Sequence, residues 1–328
     1  MKLIQPLLIS LAITACSASA ASIVWVSDQL VGTGGSDNNQ SPNGTFTGGA
    51  GPYADQAILN LLAANGHTVT RYNPADSANV MSAADVATMN TFDLVILGRS
   101  LGSGSFDTAV ETLPWNTGIT RPLISTNTYM SRSNRLGWFS TTGGPVQPDQ
   151  VLNPLTFTNT ADPVQAYLIG SSALSGSTTV DTITDQFFFP ADGAADIRGI
   201  SNLTGSTINP GGTLIATSFI SATSLNGAYI ASLPAGTVLS TTGTGNVAAG
   251  QTLGGYRLQF LVGVRESASA PNTGVGNAGY ENLTPEGEAM FLRAVLLAAN
   301  NGVVPIPEPA TLTLAGLAGL SLLRRRRV

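Results

Sequence analysis

Gly98-Arg99-Ser100-Leu101-Gly102 directly follows the apolar run Phe92 to Gly98 (FDLVILG). A G-x-S-x-G sequence after a strand is the pattern of a nucleophile elbow, which lifts a serine hydroxyl clear of a sheet for acyl-transfer chemistry. Such a serine needs a base, and in hydrolases with this elbow the histidine comes later in the chain. Here the one histidine, His67, precedes Ser100. The serines and Gly104 around the motif equally suit a plain loop. The one cysteine is Cys16, in the apolar N-terminal region, and the one lysine is Lys2. The body therefore offers no thiolate nucleophile, no cysteine zinc site, no disulfide framework and no Ser-Lys pair.

Other polar residues gather by their place relative to the expected strands. In open α/β sheets ligands bind at the carboxyl ends of the strands. Those ends collect Asp28, Arg99, Ser100, Thr126 and Asn127, which could hydrogen-bond a sugar or peptide; ordinary polar loop content is the preferred account of them. Ser100 is the only catalytic candidate. Asp181, Asp185, Asp192 and Asp196 carry oxygen ligands, but their spacing is not that of an EF-hand loop. No metal site and no cofactor is expected. A carboxylate pair for glycoside hydrolysis needs only proximity in space, and no spacing here selects one.

The elements that must position these residues read as α/β. Ser22 to Ser27 is an apolar run of strand length, Tyr53 to Asn65 has helical spacing with Ile58, Leu61 and Leu62 on one face, and Gly66 stops it. His67 to Tyr72 forms a second strand, Ser82 and Asp85 a capping box that opens a helix to Met89, Phe92 to Gly98 a third strand and Pro122 to Ser125 a fourth. This rhythm predicts a doubly wound parallel sheet. From about 156 to 264 short β-like runs dominate: Ala166 to Ile169, Thr179 to Ile183, Gln186 to Phe189, Thr213 to Ser218, Ala228 to Ala231 and Arg257 to Val264. No helix is expected there. Thr284 as N-cap, Pro285 at the first position and Glu286 and Glu288 in the first turn then open a long helix that Gly302 ends.

The two ends carry the sorting information. Lys2, the apolar run Leu3 to Ala15 and Ala18-Ser19-Ala20 read as a secretory signal cleaved before Ala21 by signal peptidase. A lipobox reading of Ile13 to Cys16 competes with it, but the A-x-A site and the strand just beyond favour plain cleavage. At the other end, Pro305-Ile306-Pro307-Glu308-Pro309 keeps the chain extended and open to a protease. Ala310 to Leu323 is uncharged, and Arg324, Arg325, Arg326 and Arg327 follow. Clustered positive charge resists translocation. The apolar stretch reaches about 21 Å as a helix, short of the ~30 Å hydrocarbon core, so it suits a transient stop in the inner membrane better than a permanent tail anchor. Without both ends the body holds nine arginines against eighteen acidic residues, a net charge of about −9. An acidic, lysine-free body is unsuited to nucleic acid, whose phosphates call for clustered Lys and Arg.

Residues 304–328, through Pro307-Glu308-Pro309, Ala310-Thr311, the apolar stretch and the arginines, resemble a PEP-CTERM sorting signal. That resemblance implies a Gram-negative bacterium, an exosortase-type processing enzyme as partner, and release or attachment at the surface or in extracellular polymer, with extracellular polysaccharide a candidate partner. The body resembles the class I glutamine amidotransferase-like fold of the trehalose-utilisation type, on its IVWVS strand, the helix ending at Asn65-Gly66-His67, the FDLVILGRS strand and the helix opening Leu283-Thr284-Pro285-Glu286-Gly287-Glu288. It implies a flavodoxin-like parallel sheet, but not amidotransferase chemistry, which requires a Cys-His pair. The expected organisation is a signal peptide over 1–20, one α/β domain over 21–303 with a β-rich insertion at about 156–264, and a sorting tail over 304–328. The expected function is that of a non-catalytic surface or extracellular-matrix protein; a secreted hydrolase using Ser100 or a carboxylate pair, and a carbohydrate-binding module, are the alternatives. Mass spectrometry of protein from its native host should find Arg324 to Arg327 absent; intact C-terminal arginines on most surface-localised molecules would contradict that expectation.

Overall fold

The computed structural model describes residues 20–27, 44–45, 55–72, 80–99, 101–140, 155–171, 181–182, 203–220, 225–240, 245–262, 281 and 283–305. In chain order the elements are β1 (Ser22–Val26), β2 (Gly44–Thr45), α1 (Gln56–Ala64), β3 (Thr68–Arg71), α2 (Ala83–Met89), β4 (Leu94–Leu97), α3 (Ala109–Leu113) and β5 (Leu123–Ser125). They continue as β6 (Leu155–Phe157), α4 (Pro163–Ile169), β7 (Asp181–Thr182), β8 (Leu203–Thr204), β9 (Thr213–Ile220), β10 (Leu225–Leu233), β11 (Arg257–Phe260) and α5 (Pro285–Ala299). A single π turn, Pro114–Gly118, extends α3.

The eleven strands among the described residues join one mixed sheet. Its order is β2-β3-β1-β4-β5-β11-β10-β9-β6-β7, with β8 also paired to β10. From β3 to β11 every neighbouring pair runs parallel. Beyond β11 the pairing is antiparallel. The wholly parallel sheet expected from the rhythm is therefore corrected to a mixed one. The physical reason is the close succession of β9 and β10. Strands joined through so short a connection pair antiparallel, because a parallel partner needs a crossover of a dozen or more residues.

The parallel strands alternate their side chains between two cores. Ile23, Trp25, Leu94, Ile96, Ile124, Leu258 and Phe260 join Ile58, Leu59 and Leu62 of α1 and Met290, Phe291 and Val295 of α5 on one face. Val24, Val26, Val95, Leu97 and Leu123 face Met89 of α2, Trp115, Trp138 and Phe139 on the other. Both faces are covered, which is why these strands read as unbroken apolar runs. Phe260 and Phe291 hold α5 to the sheet, their ring centroids 5.5 Å apart.

Local chemistry sets the helix ends. Ser82 Oγ accepts from Asp85 N at 3.1 Å and Asp85 Oδ2 accepts from Ser82 N at 2.9 Å, so both halves of the expected capping box form. Thr284 Oγ1 accepts from Gly287 N at 3.3 Å, Pro285 fills the first position of α5, and Gly302 beyond its end has φ 79°. The helix expected over Tyr53 to Asn65 is observed over Gln56–Ala64, with residues 53 and 54 outside the described set.

Helix α4 is a correction. Ala166 to Ile169 reads as β-like but lies in this helix. Asp162 Oδ1 accepts from Val164 N at 3.0 Å and from Gln165 N at 3.1 Å, Pro163 takes the first position, and Gly170 ends the helix at φ 59°. An Asp-Pro pair is a start signal that short β-like runs conceal. The run Gln186 to Phe189 lies outside the described residues, as does all of Thr179 to Ile183 except β7.

Candidate functional site

After β1 the chain crosses to β3 on one side of the sheet, and after β4 to β5 on the other. The connections thus diverge at the carboxyl ends of β1 and β4, the usual ligand position in such sheets. Three groups of described residues lie at or near these strand ends.

The first group is a buried ionic cluster. Trp25 Nε1 donates to Asp55 Oδ2 at 2.6 Å, and Arg71 Nη2 donates to Asp55 Oδ1 at 3.3 Å and to Gln56 Oε1 at 3.0 Å. Trp25 comes from β1, Arg71 from the end of β3, and Asp55 sits immediately before α1. Asp55 is 1 % exposed. Both its oxygens are committed, so it acts as a tie between strand ends and helix.

The second group surrounds the G-x-S-x-G sequence. Gly98 N donates to Val26 O at 2.8 Å. A Cβ on Gly98 would lie 2.9 Å from Trp25 Nε1 and 3.0 Å from Val26 O. The first glycine of the motif is thus explained by close packing against Trp25, with no reference to catalysis. Asn127 Nδ2 donates to Arg99 O at 3.2 Å and to Leu101 O at 2.9 Å, while its Oδ1 accepts from Tyr129 N at 3.0 Å. Thr126 Oγ1 donates to Leu97 O at 2.9 Å. Thr126 and Asn127, both buried, are therefore clamps on the loop that leaves β4. Asp28 and Ser100 lie outside the described residues.

The third group is cationic. Arg99 is buried, and its guanidinium carbon stands 5.1 Å from the centroid of the Tyr129 ring. The Arg132 guanidinium carbon stands 5.4 Å from the same centroid, and Arg132 Nε donates to Tyr129 O at 2.9 Å. Burial, reinforced by the charge of Arg135, lowers the Arg132 pKa below its ordinary value. The sequence reading included Arg99 and missed Tyr129, Arg132 and Arg135. A signal was present: four of the nine body arginines fall between residues 99 and 135, two of them three positions apart.

His67 is elsewhere. Its Nδ1 accepts from Ala21 N at 3.2 Å, beside the amino ends of β1 and β3. Burial lowers its pKa, which favours the neutral ring. A strand the length of β1 spans roughly 17 Å, which separates the imidazole from the carboxyl edge. Glu281 is a titratable group that sequence reasoning missed. It is half-buried just ahead of α5, accepts from Leu283 N, and burial together with the charge of Glu288 raises its pKa to about 7. No motif marks it, since its shift comes from packing. Among the described residues no group of three His, Cys, Asp or Glu side chains could hold a metal ion. Asp181 lies in β7, and Asp185, Asp192 and Asp196 are outside the described set.

Residues 305–327 match the PEP-CTERM protein-sorting motif. The chain is accordingly an exported substrate of exosortase whose destination is the cell surface or the extracellular space. Among the described residues no helix is long and apolar enough to cross a membrane; the expected stretch Ala310 to Leu323 lies outside them. No curated protein matches the chain.

Glu281 makes the stability of the body depend on pH with a definite sign. Between about 4.5 and about 7 the folded protein keeps a proton that the unfolded chain has released. Stability therefore falls as pH rises through that window. Denaturant titrations at stepped pH should show this decline, and Glu281→Gln should flatten it; equal slopes in both proteins would show that Glu281 titrates normally.

Proposed function

We propose that the exported body, residues 21–303, is a single α/β domain that serves as a non-catalytic surface or extracellular-matrix component, with a ligand cleft at the carboxyl edge of its sheet. The parallel order β3-β1-β4-β5-β11, with helices on both faces, supports a flavodoxin-like core of the glutamine amidotransferase type. Fold alone assigns no activity.

The observation that carries the non-catalytic reading is the position of His67. A serine hydroxyl is a weak nucleophile until a neighbouring base takes its proton. The one imidazole in the chain is engaged by Ala21 N at the amino ends of the strands, while the elbow sequence leaves the carboxyl end of β4. The other recognisable features of the elbow have structural work. Gly98 makes room for Trp25, and Asn127 clamps the carbonyls on either side of residue 100. Export by the sorting system then delivers a folded module whose role is contact.

Purified protein should not react with a broad fluorophosphonate probe, and Ser100→Ala should leave its thermal stability within about 0.5 kcal/mol of the parent. Stoichiometric labelling that Ser100→Ala abolishes would replace this reading with that of a secreted hydrolase.

A further inference from the structure

Ala20 is exposed, whereas Ala21 is 6 % exposed and belongs to the same core as Ile23 and Trp25. Sheet pairing reaches the same residue, since Thr68 N donates to Ala21 O at 3.1 Å. The signal peptide expected from Ala18-Ser19-Ala20 ends at this boundary. Processing and folding thus divide the chain at one peptide bond. The first residues of a domain fray unless something ties them down. Here the tie is His67, itself 7 % exposed, whose Nδ1 accepts from Ala21 N at 3.2 Å.

Hydrolysis of the Ala20–Ala21 bond consumes a water, leaves a carboxylate on Ala20 and turns Ala21 N from an amide into an α-amine. Such an amine has an ordinary pKa of about 7.7–8.0, so it takes up a proton at neutral pH. The ammonium keeps a donor for His67 Nδ1, and its surroundings suit a cation. Asp93, just ahead of β4, accepts through Oδ2 from Ser22 N at 2.8 Å and from Ser22 Oγ at 2.7 Å. One residue advances the chain by no more than about 3.8 Å, which puts this carboxylate within about 7 Å of Ala21 N. Leu62 O, at the carbonyl end of α1, accepts from His67 N at 3.2 Å, and that end of a helix carries partial negative charge. The other charged group at this edge among the described residues is Arg121, exposed just ahead of β5, whose charge bears on Asp93. Neither α1 nor α5 has a basic residue in its last turn.

We propose that His67 is the receptor for the mature amino terminus and binds the α-ammonium group that signal-peptide removal creates on Ala21. The neutral ring accepts at Nδ1 and carries its proton on Nε2. Burial lowers the pKa of His67, which keeps the ring in that form. A protonated ring would set an imidazolium against the ammonium, so acid expels the terminus. With the folded pKa below the ordinary value of 6.5, this contribution to stability is present above 6.5 and is lost as pH falls through the folded value. That sign is opposite to the one for Glu281, so the test reads the ring itself. The site goes beyond the non-catalytic reading and rests on cleavage before Ala21.

The sequence isolates both partners. His67 is the one histidine, so its ring protons have no competitor in an NMR titration. The one lysine, Lys2, leaves with the signal peptide, so the α-amine is the one primary amine of the processed protein. Protein beginning at Ala21 is compared with a form beginning at Ala20, which carries its amine on an exposed residue and keeps Ala21 N as an amide. A succinimidyl ester at neutral pH should label the Ala21 form about tenfold or more slowly than the Ala20 form, the factor that one hydrogen bond to a charged group supplies. His67→Phe, which removes the acceptor, should abolish that protection. The His67 ring should titrate about one pH unit or more lower in the Ala21 form, because an adjacent ammonium disfavours its protonation. That comparison needs no substitution and decides the matter if His67→Phe does not fold. Equal labelling rates, equal His67 midpoints in the two forms, or a processed protein that begins at Cys16 would overturn the site.

Discussion

The guanidinium of Arg257 is wholly buried, and five main-chain carbonyl oxygens surround it. Nη1 donates to Arg121 O at 2.9 Å and Tyr256 O at 3.2 Å; Nη2 donates to Trp115 O at 3.0 Å, Asn116 O at 2.9 Å and Ile119 O at 2.6 Å. Burial lowers its pKa to about 9, so it stays charged at neutral pH. Carbonyls at the end of a helical turn lack intrahelical partners and carry partial negative charge. Arg257 supplies donors to the end of the π turn Pro114–Gly118 and to the segment that leads into β5. It stands at the start of β11, the strand that pairs parallel with β5 and antiparallel with β10. One side chain thus joins the parallel and antiparallel parts of the sheet. Gly254 and Gly255 bring this junction close, since a Cβ on either would collide with Thr117 O or Arg121 O.

The carboxyl edge inherits its geometry from that junction. Arg257 and the β11 pairing fix β5, and the chain leaving β5 supplies Thr126, Asn127 and Tyr129. Asn127 then sets the loop beyond β4, and the Tyr129 ring lies against Arg99 and Arg132. On the far side, Asp55 ties β1, β3 and α1 through Trp25 and Arg71. Among the described residues, the polar side chains at this edge are therefore mostly structural ties.

Much of the parallel part was legible from local pattern. Runs such as Ile23 to Val26 and Leu94 to Leu97 are apolar on both faces because both faces are covered, and the Ser82–Asp85 and Thr284–Pro285 signals act within a few residues. The mixed sheet was not legible, because strand direction beyond β11 is decided by partners and connections. Nor was Arg257: its carbonyl partners lie up to 142 residues away, and backbone acceptors leave no trace in side-chain identity. Helix α4 was hidden by its length of seven residues, too few for a clear period. The first glycine of the elbow pattern suits either chemistry or a plain loop in the sequence, and the constraint on it is the indole of Trp25, whose Nε1 a Cβ there would meet at 2.9 Å.

The central claim is that Arg257 holds the two parts of the sheet in one cooperative unit. Urea unfolding of Arg257→Lys, followed in parallel by tryptophan fluorescence and far-ultraviolet circular dichroism, tests it directly. A lysine has three donors on one nitrogen and cannot reach all five carbonyls. The account predicts coincident transitions in the parent and a loss of about 3 kcal/mol or more in the variant, the cost of stranding buried acceptors. An unchanged midpoint in the variant, or two separate transitions in the parent, would contradict it.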